Sequence, residues 1–251
     1  MGIGEKPPLM GYLVEFRKRL VACAIALGIG FVVCYSFSEE LFRILVLPLK
    51  ANMPEGDKLV YTGLPDMFLT YMKTGFVGGF LLASPFVFYQ LWMCVAPGLN
   101  QRQKKFFVPF VIFSTILFLG GALFGYFVAF PLGFRFFLGF ANEYSKALPS
   151  VKHYFSFSVR LLFAFGIVFE LPVVIYFLTK MGLISAGVLR QKRKYAIVLN
   201  FIIAALLTPP DVVSQFMMVV PLIVVYEIGI IVAMIAGRRR VEADESGQEK
   251  A

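Results

Sequence analysis

Six long runs of apolar residues, separated by shorter polar connections, dominate the pattern along the chain. So much apolar sequence cannot be buried in a single aqueous core, and lipid is the solvent that suits it. A helix needs about 20 residues to cross a hydrocarbon layer about 30 Å thick. We therefore predict an all-α membrane protein with six transmembrane helices, at about 20–37, 67–95, 106–134, 154–179, 195–209 and 212–237.

The runs differ in length and regularity. The second and third are longer than one crossing requires, and Pro85, Pro109 and Pro131 predict kinks or tilt within them. The fifth reaches Thr208 after about 14 residues, roughly 21 Å of helix, which predicts local thinning of the bilayer. Two prolines followed by Asp211 separate the fifth and sixth runs and predict a tight hairpin.

Basic residues are distributed unevenly among the connections. Of the 24 Lys and Arg residues, 16 lie in the N-terminal segment, in 96–105, in 180–194 and in the tail, whereas six lie in the alternate connections. Because Lys and Arg accumulate on the cytoplasmic side of membrane proteins, both ends of the chain are predicted to be cytoplasmic. Residues 1–240 then form one membrane domain, and 241–251 form a charged tail that we expect to be disordered.

Composition agrees with a membrane protein. Hydrophobic residues make up 59% of the chain and charged residues 16%, compared with about 25% charged in soluble domains; mean hydropathy is +0.79. The net charge of +9 comes from the cytoplasmic surplus, and predicts attraction to membrane lipids with anionic headgroups and no nucleic-acid partner.

Enzyme signatures are absent from the sequence. It contains no GxxxxGK[ST] phosphate loop and no HExxH motif, and its single histidine, His153, lies in a predicted loop. We therefore predict no enzymatic activity, no cofactor and no metal. Work done by this protein must draw its energy from a partner or from the membrane gradient.

Four charged residues fall inside predicted spans, where a charge is costly. Lys73 and Arg160 lie near the outer ends of their spans, which favours side chains that extend to the membrane surface. Glu227 lies in the inner half of the last span. Glu170 lies near mid-span, so it must face a cavity or a polar partner, or be protonated; a purely structural polar contact is the alternative to a functional role.

The segment before the first span is amphipathic. Apolar residues with helical spacing form a stripe that can lie in the inner headgroup region: Leu9, Leu13, Phe16 and Leu20. Glu15 lies off this stripe, among Arg17, Lys18 and Arg19. Two interpretations remain open: an i,i+4 ion pair with Arg19, or a carboxylate that binds a basic ligand.

Four stretches carry a family resemblance: Leu9–Leu20 (LMGYLVEFRKRL), Ala83–Leu99 (ASPFVFYQLWMCVAPGL), Phe163–Pro172 (FAFGIVFELP) and Leu206–Gln215 (LLTPPDVVSQ). In these stretches and in their order, the chain resembles TatC, the multispanning receptor subunit of the bacterial twin-arginine protein translocase. The resemblance implies a cupped bundle of six helices in the bacterial cytoplasmic (inner) membrane. It also implies a receptor for arginine-pair signal peptides that forms an oligomeric complex with the single-span subunits TatA and TatB, and exports folded proteins using the proton-motive force.

The resemblance also implies a signal-peptide site. In this family, the arginine pair is accepted by one glutamate before the first span and another in the first inner loop. Glu15 matches the first position, while Gln103 stands at the second; Arg17 and Leu99 lie in the same motifs and complete the predicted site. Because an amide supplies no charge, we expect Glu15 to contribute most of the electrostatic discrimination.

Further residues match family positions with other roles. Pro48 and Asp211 match positions associated with a working translocase, and Glu170 matches the polar residue that lines the concave face of the bundle. Thr208 and Gln215 match the polar site where single-span partners dock. Docking there agrees with a short span, which leaves polar groups at membrane depth.

The main alternative is a proton-coupled secondary transporter of small solutes, which would also carry charges within its spans. Such folds usually contain paired, interrupted helices from an internal repeat, and no repeat is evident here. An intramembrane enzyme would need a nucleophile–base or metal constellation, for which the sequence offers no candidate.

Overall fold

The computed structural model describes residues 9–53, 59–61, 63–95, 107–139, 150–208 and 211–248, with side chains described from Val14 to Gly237. These ranges are almost entirely helical. They contain α1 (Leu9–Ser36), α2 (Ser38–Lys50), α3 (Asp66–Val95), α4 (Phe107–Phe124), a π-helical turn (Gly125–Ala129), α5 (Phe130–Leu138), α6 (Val151–Phe169), α7 (Leu171–Met181), α8 (Ala186–Gln191), α9 (Arg193–Leu207) and α10 (Val212–Gln248).

Five helical stretches in the described part of the chain are long and apolar enough to cross a membrane: Val14–Ser36, Asp66–Cys94, Val108–Leu138, Val151–Met181 and Val212–Gly237. They coincide with five of the six predicted spans. The other, α9, has 15 residues, or about 22 Å of helix, and falls short of that length. The all-α membrane fold is thus confirmed, whereas the sixth crossing stays a prediction.

Two of these stretches are interrupted. In the third, the π-helical turn Gly125–Ala129 separates α4 from α5, while Pro109 lies in the first turn of α4 and Pro131 in the first turn of α5. At Pro109 this is tolerated because the N–H that proline lacks has no helical partner in a first turn. Pro131 instead follows helical residues directly, so its missing N–H interrupts the helical hydrogen bonds next to the π-helical turn. In the fourth stretch, Glu170 separates α6 from α7, one residue before Leu171 and two before a proline.

The last helix is longer than the apolar run that predicts it. Its backbone continues to Gln248, across residues expected to form a disordered tail. Arg, Glu and Ala are frequent there, and these residues favour helix even where no apolar face exists.

The helices form two compact units. The first contains α1, the start of α2, α3 and the start of α4, up to Ile116. Its main contact joins α1 to α3 at glycines: a Cβ built on Gly79 would lie 2.5 Å from the backbone N of Phe31, and one on Gly30 would lie 2.7 Å from the carbonyl oxygen of Gly79. Because neither clash can be relieved by rotating a side chain, the two backbones touch only where glycine permits it.

The second unit contains the remainder of α2 and everything from Leu117 onward. A Cβ on Gly121 of α4 would lie 2.4 Å from the carbonyl oxygen of Phe165, and one on Gly166 of α6 would lie 2.6 Å from the Phe118 ring. Gly121 and Gly125, which have the small-xxx-small spacing that lets helices approach closely, thus serve packing within the chain. Phe130, Phe155 and Phe165 are fully buried beside this contact.

Candidate functional site

Glu15 lies in the first half of α1, and half of its side-chain surface is exposed. Arg19, one turn later, donates a hydrogen bond from Nη2 to Glu15 Oε1 and is itself mostly covered. The predicted i,i+4 pair is therefore present. An exposed pair of this kind stabilises a helix by only about 0.3–0.5 kcal/mol, so another guanidinium can replace Arg19 at low cost.

Arg17 is exposed two residues after Glu15. Leu99 and Gln103, the other predicted members of the signal-peptide site, lie outside the described residues, between α3 and α4. The helices on either side of them are joined by Trp92 of α3: its Nε1 donates to Ser114 Oγ of α4 at 3.0 Å, and its ring stacks on Phe110 at 5.0 Å between centroids. Ser114 is fully buried. Sequence patterns gave no sign of this link, because its partners are 22 residues apart.

Glu170 occupies the break between α6 and α7. Its N–H donates to the Ile167 carbonyl at 3.1 Å, and its own carbonyl accepts from Val174 N–H at 3.0 Å. Its side chain is half-buried, and Oε1 has almost no accessible surface. A carboxyl group enclosed within a membrane-spanning stretch fits the prediction that Glu170 does not face lipid.

The hairpin between α9 and α10 brings three predicted residues together. Asp211 caps α10: Oδ1 accepts the Ser214 N–H at 2.7 Å, and the Ser214 hydroxyl donates to Oδ2. Gln215 Nε2 donates to the Phe201 carbonyl at 3.1 Å and so ties α10 to α9. Thr208 ends α9, with Oγ1 donating to the Ala204 carbonyl at 2.9 Å. Gln215 thus links the two helices of the hairpin, while Asp211 fixes the start of α10.

A small groove lies next to this hairpin, within the second unit. Its walls are the π-helical turn, α5, α6 and the first half of α10, and its lining is apolar except for Thr208 and Ser214. Phe157, Leu161 and Met218 are among the apolar lining residues. Two hydroxyls in an otherwise apolar groove can hold a polar side chain of another helix at membrane depth.

Pro48 is buried within α2, where its carbonyl accepts a hydrogen bond from Asn52 Nδ2 at 2.8 Å. The same helix is held to α6 by the Tyr154 hydroxyl, which donates to the Leu45 carbonyl. Pro48 therefore belongs to a structural contact on α2, and no other predicted site residue lies against it in the described part of the chain.

Glu227 has a partner that sequence reasoning did not identify. Arg193 Nη2, at the start of α9, lies 2.6 Å from Glu227 Oε2 of α10. The Tyr226 hydroxyl also donates to the Leu189 carbonyl at 2.9 Å. These contacts join α8 and α9 to α10 at the end of the hairpin opposite Asp211. The charge in the last span is thus a structural ion pair.

The sequence matches the family model described as Sec-independent protein translocase protein (TatC) over residues 11–221. The TatC of Desulforapulum autotrophicum is 49% identical, covering 98% of this chain and 91% of that protein. The TatC of Escherichia coli strain K12 is 36% identical, covering 92% of this chain and 89% of that protein. A crystal structure of a twin-arginine translocase receptor, TatC, matches with a TM-score of 0.81 at 38% identity, covering 90% of this chain and 99% of that one.

These similarities extend over nearly the whole chain and agree in fold and family. They favour a role in protein translocation over the transport of small solutes, and a membrane receptor over an enzyme. The chain is a multi-pass membrane protein, and it belongs to the TatC family of Sec-independent protein translocase proteins.

Proposed function

We propose that this protein is the signal-peptide receptor of a twin-arginine translocase in the bacterial cytoplasmic membrane. In this proposal both chain ends face the cytoplasm, and Glu15 binds the arginine pair of an incoming signal peptide. The observation that carries the proposal is the exposed Glu15 carboxylate at the start of the first span, which in the described part of the chain pairs with Arg19 of its own helix. Guanidinium favours carboxylate as a bidentate partner, which fits a ligand with two arginines.

Binding then replaces one guanidinium by another. The Glu15–Arg19 pair has the advantage of proximity, because both residues belong to one helix. A peptide with one basic residue gains little by displacing Arg19, since it exchanges equal contacts and also loses its freedom of motion. A second arginine in the peptide supplies an additional contact with the protein, and this contact makes the displacement of Arg19 favourable. This exchange gives a physical reason for recognition of a pair.

The test compares Glu15→Gln with Glu40→Gln in the binding of an arginine-pair signal peptide to the purified full-length protein. Glu40 of α2 is a matched control because it is also exposed and also pairs with an arginine of its own helix, Arg43. We expect Glu15→Gln to weaken binding about fivefold and Glu40→Gln to leave it unchanged. Equal effects of the two changes, or a larger loss from Gln103→Ala than from Glu15→Gln, would contradict the assignment.

We further propose that the single-span subunits TatA and TatB dock at the α9–α10 hairpin, and that the assembled complex uses the proton-motive force to export folded proteins. The groove with the Thr208 and Ser214 hydroxyls supports a docking site for a helix that carries a polar residue. Because Gln215 already donates to Phe201, replacing it disturbs the hairpin as well as the docking site. Thr208→Val is the cleaner change, since the Thr208 hydroxyl bonds only within α9.

The docking proposal predicts that Thr208→Val weakens crosslinking of TatB to this hairpin about threefold, through loss of one hydrogen bond at membrane depth, while thermal stability is retained. Gln215→Leu should weaken both the crosslinking of TatB and the thermal stability of the protein. Site-specific crosslinking in membranes, alongside a melting curve of the purified protein, measures the two effects separately. Unchanged crosslinking in both variants would count against a docking role.

A further inference from the structure

Arg160 differs from the other three charged residues that fall inside the predicted spans. Lys73 and Glu170 each have an interaction within the described part of the chain, and Glu227 pairs with Arg193. In that same part of the chain, Arg160 takes part in no hydrogen bond or ion pair. Its side chain is exposed on α6. A guanidinium exposed within a membrane-spanning helix requires an anionic or polar partner, which the described residues do not supply.

The exposed face around Arg160 changes character along the helix. Towards the start of α6, the residues at helical spacing are Ser156 and the exposed His153, with exposed Lys152 beside them. Towards the other end, the same face continues through Ala164 to Ile167, which is 63% exposed. The face is therefore polar and basic on one side of Arg160 and apolar on the other.

The depth of Arg160 can be estimated from helix geometry. The stretch Val151–Met181 has 31 residues, so it is at most about 46 Å long and exceeds the hydrocarbon thickness of about 30 Å. If the stretch is centred in the bilayer, Arg160 lies about 5 Å inside the hydrocarbon boundary. Helical side chains lean towards the helix N-terminus, so its guanidinium extends back to the level of the lipid headgroups.

We propose that Arg160 binds the phosphate of a phospholipid in the leaflet at the amino-terminal end of α6, with an acyl chain of the same lipid against Ala164 and Ile167. A guanidinium can donate two parallel hydrogen bonds to phosphate oxygens. Lys152 adds a positive charge on the headgroup side, so an anionic headgroup such as that of phosphatidylglycerol is favoured. In the predicted topology this is the outer leaflet; the site itself does not depend on signal-peptide recognition.

The order of groups along the face favours a lipid over a transmembrane helix of another protein. A phospholipid has its charge at the membrane surface and its apolar part towards the bilayer centre, which is the order that Lys152, Arg160 and Ile167 present. A partner helix would need one carboxylate placed opposite Arg160 and apolar contact on both sides of it. The polar residues between Arg160 and the start of α6 do not supply that contact.

The test is a lipid titration of the purified full-length protein, followed by native mass spectrometry. The probes are phosphatidylglycerol and a diacylglycerol with the same acyl chains but no phosphate. The variants are Arg160→Gln, Arg160→Lys and the control Arg190→Gln, which removes an exposed arginine of the same unit that lies outside the five membrane-crossing stretches. Melting curves show that each variant is folded.

We expect the unsubstituted protein to bind phosphatidylglycerol about tenfold more tightly than diacylglycerol, as the loss of charge-assisted hydrogen bonds implies. Arg160→Gln should remove this difference, Arg160→Lys should retain part of it, and Arg190→Gln should preserve it. Undiminished binding of phosphatidylglycerol to Arg160→Gln, or an equal loss in Arg190→Gln, would overturn the proposal. So would full displacement of the lipid by inorganic phosphate at equal concentration. If Arg160→Gln retains lipid binding but loses crosslinking from position 164 to a single-span subunit, the ligand of Arg160 is a partner helix and not a lipid.

Discussion

The first span and the fourth are both long and apolar, but they are held in the protein by different means. In the most apolar window of Val14–Ser36, 6% of the residues are buried, compared with 50% in that of Val151–Met181. The exposed apolar residues of α1, such as Ile25 and Ile29, present a surface suited to lipid. A high content of apolar residues therefore identifies a membrane span without indicating whether protein or lipid surrounds it.

The means of attachment follow from this difference. The first span is joined to α3 by close backbone approach at Gly30 and Gly79. The fourth span is held by large side chains, including the fully buried Phe155 and Phe165. Lipid is as apolar as a leucine side chain, so close packing, rather than removal from water, drives helix association in both cases. The first span can thus expose Glu15 at its end while its packing against α3 holds it in the first unit.

The largest loss of stability is expected where large side chains pack the fourth span. Phe155→Ala should reduce the free energy of unfolding by about 3 kcal/mol, because it leaves a cavity among packed rings. Ile25→Ala, in the exposed face of α1, should change it by less than about 0.5 kcal/mol. Unfolding of the purified protein by denaturant measures both. Similar losses in the two variants would show that the first span is packed against protein as closely as the fourth.

A smaller loss of stability is expected where the backbones of α1 and α3 touch. Gly79→Ala should destabilise the protein by about 2 kcal/mol, since α1 and α3 must move apart to admit the methyl group. Gly28→Ala is the matched control, because a Cβ on Gly28 would meet nothing within 4 Å. There alanine should be neutral or slightly stabilising, as a better helix former. Equal destabilisation by both changes would contradict close backbone packing of α1 against α3 at Gly79.

The sequence predicts the elements of this protein better than their contacts. Apolar runs predicted all five long spans to within a few residues at most ends. The double proline before Asp211 predicted the hairpin. The glycine spacing gave the packing at Gly79 and Gly121. Each of these features depends on local chemistry, since apolar length, missing N–H donors and absent side chains act where they occur.

Contacts between distant residues could not be predicted in the same way. The Tyr154 hydroxyl and the Leu45 carbonyl are separated by 109 residues, and Arg193 and Glu227 by 34. Which side chains meet depends on the rotation of each helix about its axis, and a nearly uniform apolar run leaves that rotation undetermined. The π-helical turn at Gly125–Ala129 lies just before Pro131, where the sequence predicts a kink or tilt, but a proline does not specify which distortion the helix adopts.

The candidate site contains both kinds of feature: local ones that the sequence predicts, and contacts between distant residues that it does not. The Glu15–Arg19 pair was recognisable from i,i+4 spacing, and it is present. The hydrogen bond from Gln215 to Phe201, which gives a predicted docking residue a structural role, depends on how two helices pack. The ion pair of Glu227 with Arg193 likewise depends on how α9 and α10 pack and could not be predicted from either residue's position in the sequence.

The most direct test of the receptor proposal is the side of the membrane on which residue 15 lies. Single cysteines at positions 15 and 40, in a protein whose Cys23, Cys34 and Cys94 are replaced by serine, would be treated in intact cells with a thiol reagent that cannot cross the membrane. We expect the cysteine at position 40 to react at once, and the cysteine at position 15 to react only after the membrane is opened. Immediate reaction at position 15 in intact cells would contradict it.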